Sequence, residues 1–169
     1  MLDGSETLTQ SPNGARLRYY IVIVGTAAIV IGVDHITKWL IVQNIRLYQS
    51  VGAGVFISLH HVENSGAAFG LFPQFQGLYL VVAAVVVLYI LFAGHHFGST
   101  WPRQAVLGLI LGGAVSNGVD RLTQGHVVDF IDVHWWPVFN VADMCIVVGI
   151  LAAVLQLGWR RAAPRQPST

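Results

Sequence analysis

Four long apolar runs limit what this chain can fold into. They span about residues 19–42, 77–94, 104–119 and 141–159 of 169. Only 10% of the residues are charged, whereas a soluble domain carries about 25% and needs them to solvate its surface. A helix of about 20 apolar residues crosses the hydrocarbon core of a bilayer. The sequence therefore predicts an all-α membrane protein, built as a four-transmembrane-helix bundle.

The basic residues predict how the four helices are oriented. Lysine and arginine collect in the cytoplasmic loops of membrane proteins. Of the nine in this chain, six fall at the N-terminus, between the second and third runs, and at the C-terminus. The sequence therefore predicts cytoplasmic tails at 1–18 and 160–169 around a membrane domain at 19–159.

The two segments on the outer side carry further signals. The first contains an alternating apolar stretch at 55–59, behind a glycine-rich turn, and this pattern predicts a short strand or hairpin. We expect that strand to form a small β-cradle or loop element on the outer face. The second segment carries Phe130, Trp135 and Trp136, which are predicted to lie at the lipid surface.

Polar side chains collect at the outer ends of the predicted helices. A carboxylate in or near hydrocarbon is costly, so it usually has a partner or a function. The predicted topology brings nine polar or charged residues to this face: Asp34, Lys38, Asn64, Asn117, Asp120, Arg121, Asp129, Asn140 and Asp143. The sequence therefore predicts a site there, with the carboxylates as the first candidates for its chemistry.

Sequence spacing separates paired acids from unpaired ones. Asp34 and Lys38 are four residues apart on one helix, which predicts an intrahelical ion pair. Asp120 is either neutralised by the adjacent Arg121 or is part of the site. Asp129 and Asp143 have no cation close in sequence.

Two unpaired carboxylates in a partly dry site cannot both ionise easily. One keeps its proton while the other can take a proton from water. This division of roles is what a metal-free hydrolase needs.

Other functions stay open at this point. Asp129, Asp132 and Asp143 would suit a cation, whereas the adjacent histidines at 60–61 and 95–96 would not share a face. A small proton-coupled exporter also needs membrane carboxylates, but near the bilayer midplane. The same polar residues could instead have a purely structural role. Clustering at one interface favours the hydrolase.

Five ordered motifs resemble the lipoprotein signal peptidase family, also called signal peptidase II. They are V-D-H-I-T-K (33–38), E-N-S-G-A-A-F-G (63–70), G-G-A-V-S-N-G-V-D-R (112–121), V-V-D-F-I-D-V (127–133) and F-N-V-A-D (139–143). The resemblance implies a bacterial inner-membrane aspartic endopeptidase that needs no cofactor or metal. Such an enzyme removes signal peptides from diacylglyceryl-modified prolipoproteins, and it cuts just before the lipid-bearing cysteine.

The resemblance also implies roles for the polar residues. Asp129 and Asp143 would be the catalytic dyad, and Asn64 and Arg121 would hold the substrate backbone. Five others would support or line the site: Asp34, Lys38, Asn117, Asp120 and Asn140. The outer loop would form the cradle and flap over the substrate, and the cyclic peptide globomycin would block the site.

Overall fold

The computed structural model describes residues 12–52, 54, 56–66, 73–98 and 100–162. Of the predicted tails, residues 1–11 and 163–169 lie outside this part of the chain. Residues 12–18, which were predicted to belong to the N-terminal tail, are helical.

In the described part of the chain, four α-helices form the bulk of the structure: α1 (Pro12–Asn44), α2 (Gln76–Ala93), α3 (Trp101–Gln124) and α4 (Val141–Ala162). The first three are long and apolar enough to cross a membrane, with mean hydropathies of 1.8, 2.5 and 1.2. The apolar stretch of α4, Val141–Leu157, is shorter than the other three. A fourth crossing, by α4, therefore stays a prediction.

Three strands form a small antiparallel sheet in the order β1 (Ser50–Val51), β2 (Ser58–Asn64) and β3 (Val127–Asp132). The predicted strand or hairpin at 55–59 is found in part: β1 and β2 form an antiparallel hairpin, and β2 begins at Ser58, later than predicted. The β2–β3 pairing begins at Ser58, which lies opposite Asp132, the last residue of β3. The strand therefore starts where β3 supplies hydrogen-bond partners.

Helix α3 lies at the centre of the bundle and packs against each of the other three helices. Glycines allow this close approach, as small residues do in membrane bundles. A Cβ at Gly112 would lie 2.8 Å from the Ala27 carbonyl oxygen of α1. One at Gly113 would lie 2.5 Å from the Ala142 carbonyl oxygen of α4. The prediction that small residues in this helix serve packing is confirmed.

Replacing Gly113 by alanine is expected to lower stability and activity together. The added methyl group would push α4 away, at a cost of about 1–3 kcal/mol, and would shift Asp143 beside Ala142. Gly118→Ala is the matched control, because its Cβ would meet only Ala83, at 3.8 Å. Melting temperatures in detergent and turnover would be measured for both. Equal effects of the two substitutions would contradict this packing argument.

A cluster of apolar side chains joins the end of α1 to the sheet. Ile41 and Ile45 of α1 pack against Val128 and Phe130 of β3. The prediction of Phe130 at the lipid surface was therefore wrong: its side chain is 5% exposed. Phe130 is buried because it belongs to β3, which lies over α1, and not to an open loop. Trp135 and Trp136, beyond the strand, are exposed.

Candidate active site

The C-terminal part of α3, the start of α4 and the sheet line a cavity of about 190 Å³. Its lining includes polar residues from four elements: Asn64, Asn117, Arg121, Asp129 and Asp143. The segment 136–139 closes one side of the cavity. Of the nine residues predicted to form a site, these five line the cavity, and the other four lie behind it in contact with them or with one another.

Strand β3 places Asp129 in this cavity. Its neighbours Val128 and Phe130 share the opposite face of the strand, where they pack on α1. Because side chains alternate along a strand, Asp129 points the other way, towards the helix ends. Its side chain is 3% exposed. The β-branched and aromatic residues around Asp129 were the available signal for this strand, which was predicted to be a loop.

Asp143 is held at the start of α4 by a reciprocal pair of hydrogen bonds with Asn140. The Asp143 backbone N–H donates to Asn140 Oδ1 at 2.9 Å, and the Asn140 backbone N–H donates to Asp143 Oδ2 at 3.3 Å. This is a capping arrangement, which satisfies free N–H groups at a helix start. The positive end of the helix dipole also favours a charged Asp143.

Three asparagine amides orient the two carboxylates. Asn64 Nδ2 donates to Asp129 Oδ2 at 2.9 Å, and Asn140 Nδ2 donates to Asp129 Oδ1 at 2.8 Å. Asn117 Nδ2 donates to Asp143 Oδ1 at 2.7 Å. Asn140 Nδ2 also contacts Asn117 Oδ1, at 3.1 Å. The two acids are therefore linked through one continuous chain of amides.

The environment of Asp129 favours its neutral form. Burial, and after it the negative charge of Asp143, raise the pKa of Asp129 from 3.8 to about 7. The hydrogen bonds from Asn64 and Asn140 and the charge of Lys38 act in the opposite direction. At neutral pH Asp129 is therefore poised to hold or release a proton.

Lys38 anchors this amide chain from behind. Its ammonium group contacts Asp34 Oδ2 at 2.6 Å and Asp120 Oδ2 at 2.6 Å, and it donates to Asn117 Oδ1 at 2.9 Å. An ammonium group has three donors, and these three acceptors use all of them. The predicted Asp34–Lys38 ion pair is confirmed, and Lys38 has two further partners.

Arg121 does not neutralise Asp120, so that alternative was wrong. Consecutive residues on a helix point in different directions, and Asp120 is paired with Lys38 instead. The Arg121 guanidinium donates to the carbonyl oxygens of Asn117, at 3.3 Å, and Gly66, at 3.2 Å. It also lies over the Tyr79 ring, 5.3 Å from its centroid. Arg121 therefore belongs to the cavity wall.

Two residues that sequence reasoning missed complete the network behind the cavity. Ser116 Oγ donates to Asp34 Oδ2 at 2.7 Å, and it lies 2.9 Å from His35 Nδ1. Asp34 Oδ1 also accepts the Ala142 backbone N–H at 2.8 Å. Asp34 therefore ties α1 to both α3 and α4. His35 lies in the motif at 33–38 and Ser116 in the motif at 112–121. Their place in these motifs was the signal that could have marked them as site residues.

Asp132 lies apart from the two cavity acids. It is three residues beyond Asp129 and so points to the other face of β3. Its carboxylate accepts the His134 backbone N–H at 2.7 Å and lies 3.6 Å from the His60 ring. Within the described ranges, no group of three His, Cys, Asp or Glu side chains could hold a metal ion.

This chain is similar to a known protein family and to several of its members. A family model described as signal peptidase (SPase) II matches residues 26–159. The lipoprotein signal peptidase of Rhodococcus jostii is 45% identical over 139 residues, which cover 78% of this chain and 70% of that protein. The lipoprotein signal peptidase of Symbiobacterium thermophilum is 39% identical over 137 residues, covering 78% and 90%.

A solved structure shows the same fold. A bacterial membrane enzyme determined at 2.3 Å matches with a TM-score of 0.79, over 87% of this chain and 93% of that one, at 23% identity. The present chain is thus a bacterial integral membrane protein of the protease class. It belongs to the signal peptidase II family, as the five motifs predicted.

Proposed function

We propose that this protein removes the signal peptide from diacylglyceryl-modified prolipoproteins and cuts just before the lipid-bearing cysteine. The observation that carries the proposal is the shared position of Asp129 and Asp143 in one cavity, each oriented by amide donors. The names of the relatives support the substrate class.

The proposed topology puts the cavity where such a substrate would be cut. All four helices would cross the bacterial inner membrane, with both termini in the cytoplasm. The end of α3 and the start of α4 would then lie at the outer leaflet. A signal peptide spans the membrane as a helix, so its cleavage point would reach the membrane surface at the same depth.

The two carboxylates would divide the chemistry between them. Asp143, at the helix start, is the better stabilised anion and would take a proton from the attacking water. Asp129 would hold a proton and donate it to the scissile carbonyl oxygen as the water oxygen bonds to the carbon. When the C–N bond breaks, the proton on Asp143 goes to the leaving amine, and Asp129 recovers its own proton. No covalent intermediate forms.

Asn64 and Arg121 would hold the substrate backbone beside the dyad. Both line the cavity. The guanidinium group has five N–H donors, and its hydrogen bonds to the carbonyl oxygens of Asn117 and Gly66 use two of them. The remaining donors suit a peptide carbonyl. Globomycin, as a cyclic peptide, is expected to compete for the same cavity.

The proposed function is tested with a purified protein and two forms of one reporter. The prolipoprotein reporter would be supplied with and without its diacylglyceryl group, and the products would be identified by mass spectrometry. We expect one cut, immediately before the modified cysteine, and little cleavage of the unmodified form. Absence of cleavage by well-folded protein, or a cut elsewhere, would contradict the proposal.

Activity is expected to fall as the pH rises through about 7, the pKa of Asp129. The proposed mechanism needs a proton on Asp129, and this proton is lost above that pKa. Measurement of kcat/KM between about pH 5 and pH 9 would show an alkaline limb with a slope of about tenfold per pH unit.

Histidines also titrate near this range, at about pH 6.5, so a histidine control is needed. His126 lies 3.5 Å from Glu63 at the edge of the sheet. His126→Gln should keep the same alkaline limb. Disappearance of the limb in this variant, or a flat profile of the unaltered protein up to about pH 9, would refute the role of Asp129.

A further inference from the structure

A second, apolar groove of about 420 Å³ adjoins the polar cavity. The two share three lining residues, Trp136, Phe139 and Asp143. The rest of the groove is apolar and includes Met144, Val147 and Val148 of α4. The groove therefore begins beside one of the proposed catalytic acids and leads away from it over hydrocarbon side chains.

The groove lies on a face of α4 that none of the other described helices covers. Met144, Val147 and Val148 follow the i, i+3, i+4 spacing of one helix face, and each is about half exposed. The opposite face of α4 packs on α3, where Ala142 and Ile146 meet Gly113. From Asp143 the groove descends about 7 Å along α4, at 1.5 Å per residue. It is therefore open sideways to the hydrocarbon.

A further space of about 510 Å³ is lined in part by the segment 136–138. Its lining includes Glu63, Asn64 and Ser65 from the end of β2, together with Asp129. A space with several polar side chains thus lies beside Asp129, and an apolar groove lies beside Asp143. These are the two environments that a lipidated polypeptide needs at its modified residue.

We propose that the apolar groove takes one acyl chain of the diacylglyceryl group on the substrate cysteine. This inference rests on the proposed function. In that reaction the modified cysteine supplies the leaving amine, which receives its proton from Asp143. Its lipid therefore starts beside Asp143 and must return to hydrocarbon, and the groove is an apolar path that starts at this residue.

The groove contributes position and not transfer energy. An acyl chain in the bilayer is already in an apolar environment, so moving into the groove gains little from hydrophobicity. A chain seated there fixes the cysteine relative to the dyad, and correct placement of reacting groups can change rates by orders of magnitude. The groove would then select for long acyl chains through the cleavage rate.

A groove-filling variant tests this inference. Val147→Trp would occupy the groove, and Val154→Trp would place the same side chain on the same face two turns deeper, outside the groove lining. Each enzyme would be assayed on one reporter that carries either a long-chain or a short-chain diacylglyceryl group. The readout is the ratio of kcat/KM for the long-chain reporter to kcat/KM for the short-chain reporter. The two reporters partition differently into micelles, but this difference is the same for every enzyme and cancels when the ratios are compared.

We expect unaltered protein to prefer the long chain and Val147→Trp to lower the ratio by about tenfold. Val154→Trp should leave the ratio unchanged. An unchanged ratio in Val147→Trp, or no chain-length preference in unaltered protein, would overturn the groove assignment while cleavage itself upholds the proposed function. Failure of well-folded, unaltered protein to cleave either reporter would overturn the proposed function itself.

A second measurement does not depend on the stability of the tryptophan variants. A lipidated reporter with a photoreactive group along its acyl chain would be bound to Asp129→Asn, irradiated and mapped by mass spectrometry. Crosslinks concentrated at 144–148 are expected. An even spread over the exposed apolar residues of α2 and α4 would show that the chain lies in bulk lipid and would overturn the assignment.

Discussion

Asp129→Asn and Asp143→Asn are each expected to lower kcat by about four orders of magnitude. An amide cannot take a proton from water, nor can it supply one to the carbonyl oxygen. The substitutions also place an N–H group where Asn64, Asn117 or Asn140 now donates to a carboxylate oxygen. Turnover of a lipidated reporter under saturating substrate would measure the loss.

The loss should not arise from unfolding, and the pH dependence of stability can show this. Because the pKa of Asp129 is raised from 3.8 to about 7, its neutral form stabilises the fold. That contribution is full below pH 3.8 and is lost as the pH rises through about 7. The amide in Asp129→Asn cannot ionise, so this variant should lose less stability than unaltered protein as the pH rises from about 4 to about 7. A thermal melt in detergent at several pH values would test this.

Asp132→Asn is the matched control for the dyad variants. Asp132 lies on the same strand as Asp129, but its carboxylate contacts His60 and His134 and not the cavity residues. Its substitution should leave turnover within about threefold. A loss comparable to that of Asp129→Asn would mean that turnover depends on the sheet as a whole.

The second large effect is expected from Lys38→Met. Removal of the ammonium group leaves Asp34 and Asp120 buried without their cation, a loss worth about 3–5 kcal/mol. It also removes the stronger of the two donors to Asn117 Oδ1, and leaves only Asn140 Nδ2, at 3.1 Å. Asn117 could then turn its amide, so that its Nδ2 would no longer face Asp143. We expect a lower melting temperature and a fall in turnover of about 100-fold or more.

A triple variant separates positioning from stability. Combining Lys38→Met with Asp34→Asn and Asp120→Asn removes the buried charges, so the melting temperature should largely recover. Turnover should stay low, because no cation orients Asn117. Recovery of turnover along with stability would show that Lys38 acts only on the fold.

The helices and the polar site residues could be predicted from the sequence for clear physical reasons. Apolar runs define membrane helices, and the cost of a charge in hydrocarbon makes each acid conspicuous. The Asp34–Lys38 pair was also predictable, because helix geometry places residues four apart on one face. These features depend on local sequence alone.

The missed features depend on partners distant in sequence. Strand β3 exists because β2 pairs with it, and Phe130 is buried because that sheet lies on α1. Asp120 pairs with Lys38, which is 82 residues away, and not with its neighbour Arg121. The spacing of neighbouring residues encodes none of these three outcomes: the strand, the burial of Phe130 and the Asp120–Lys38 pair. The hydrogen-bond chain from Lys38 through Asn117 to Asp143 also depends on the packing of three helices.

The most direct test of the central claim is cleavage of the lipidated reporter after exhaustive treatment with a chelator. Both Asp129 oxygens already accept amide hydrogens, which leaves fewer lone pairs for a metal ion. The account predicts an unchanged rate that added divalent metals do not alter. Loss of cleavage on chelation, with recovery on adding a metal, would make the aspartates metal ligands and contradict the account.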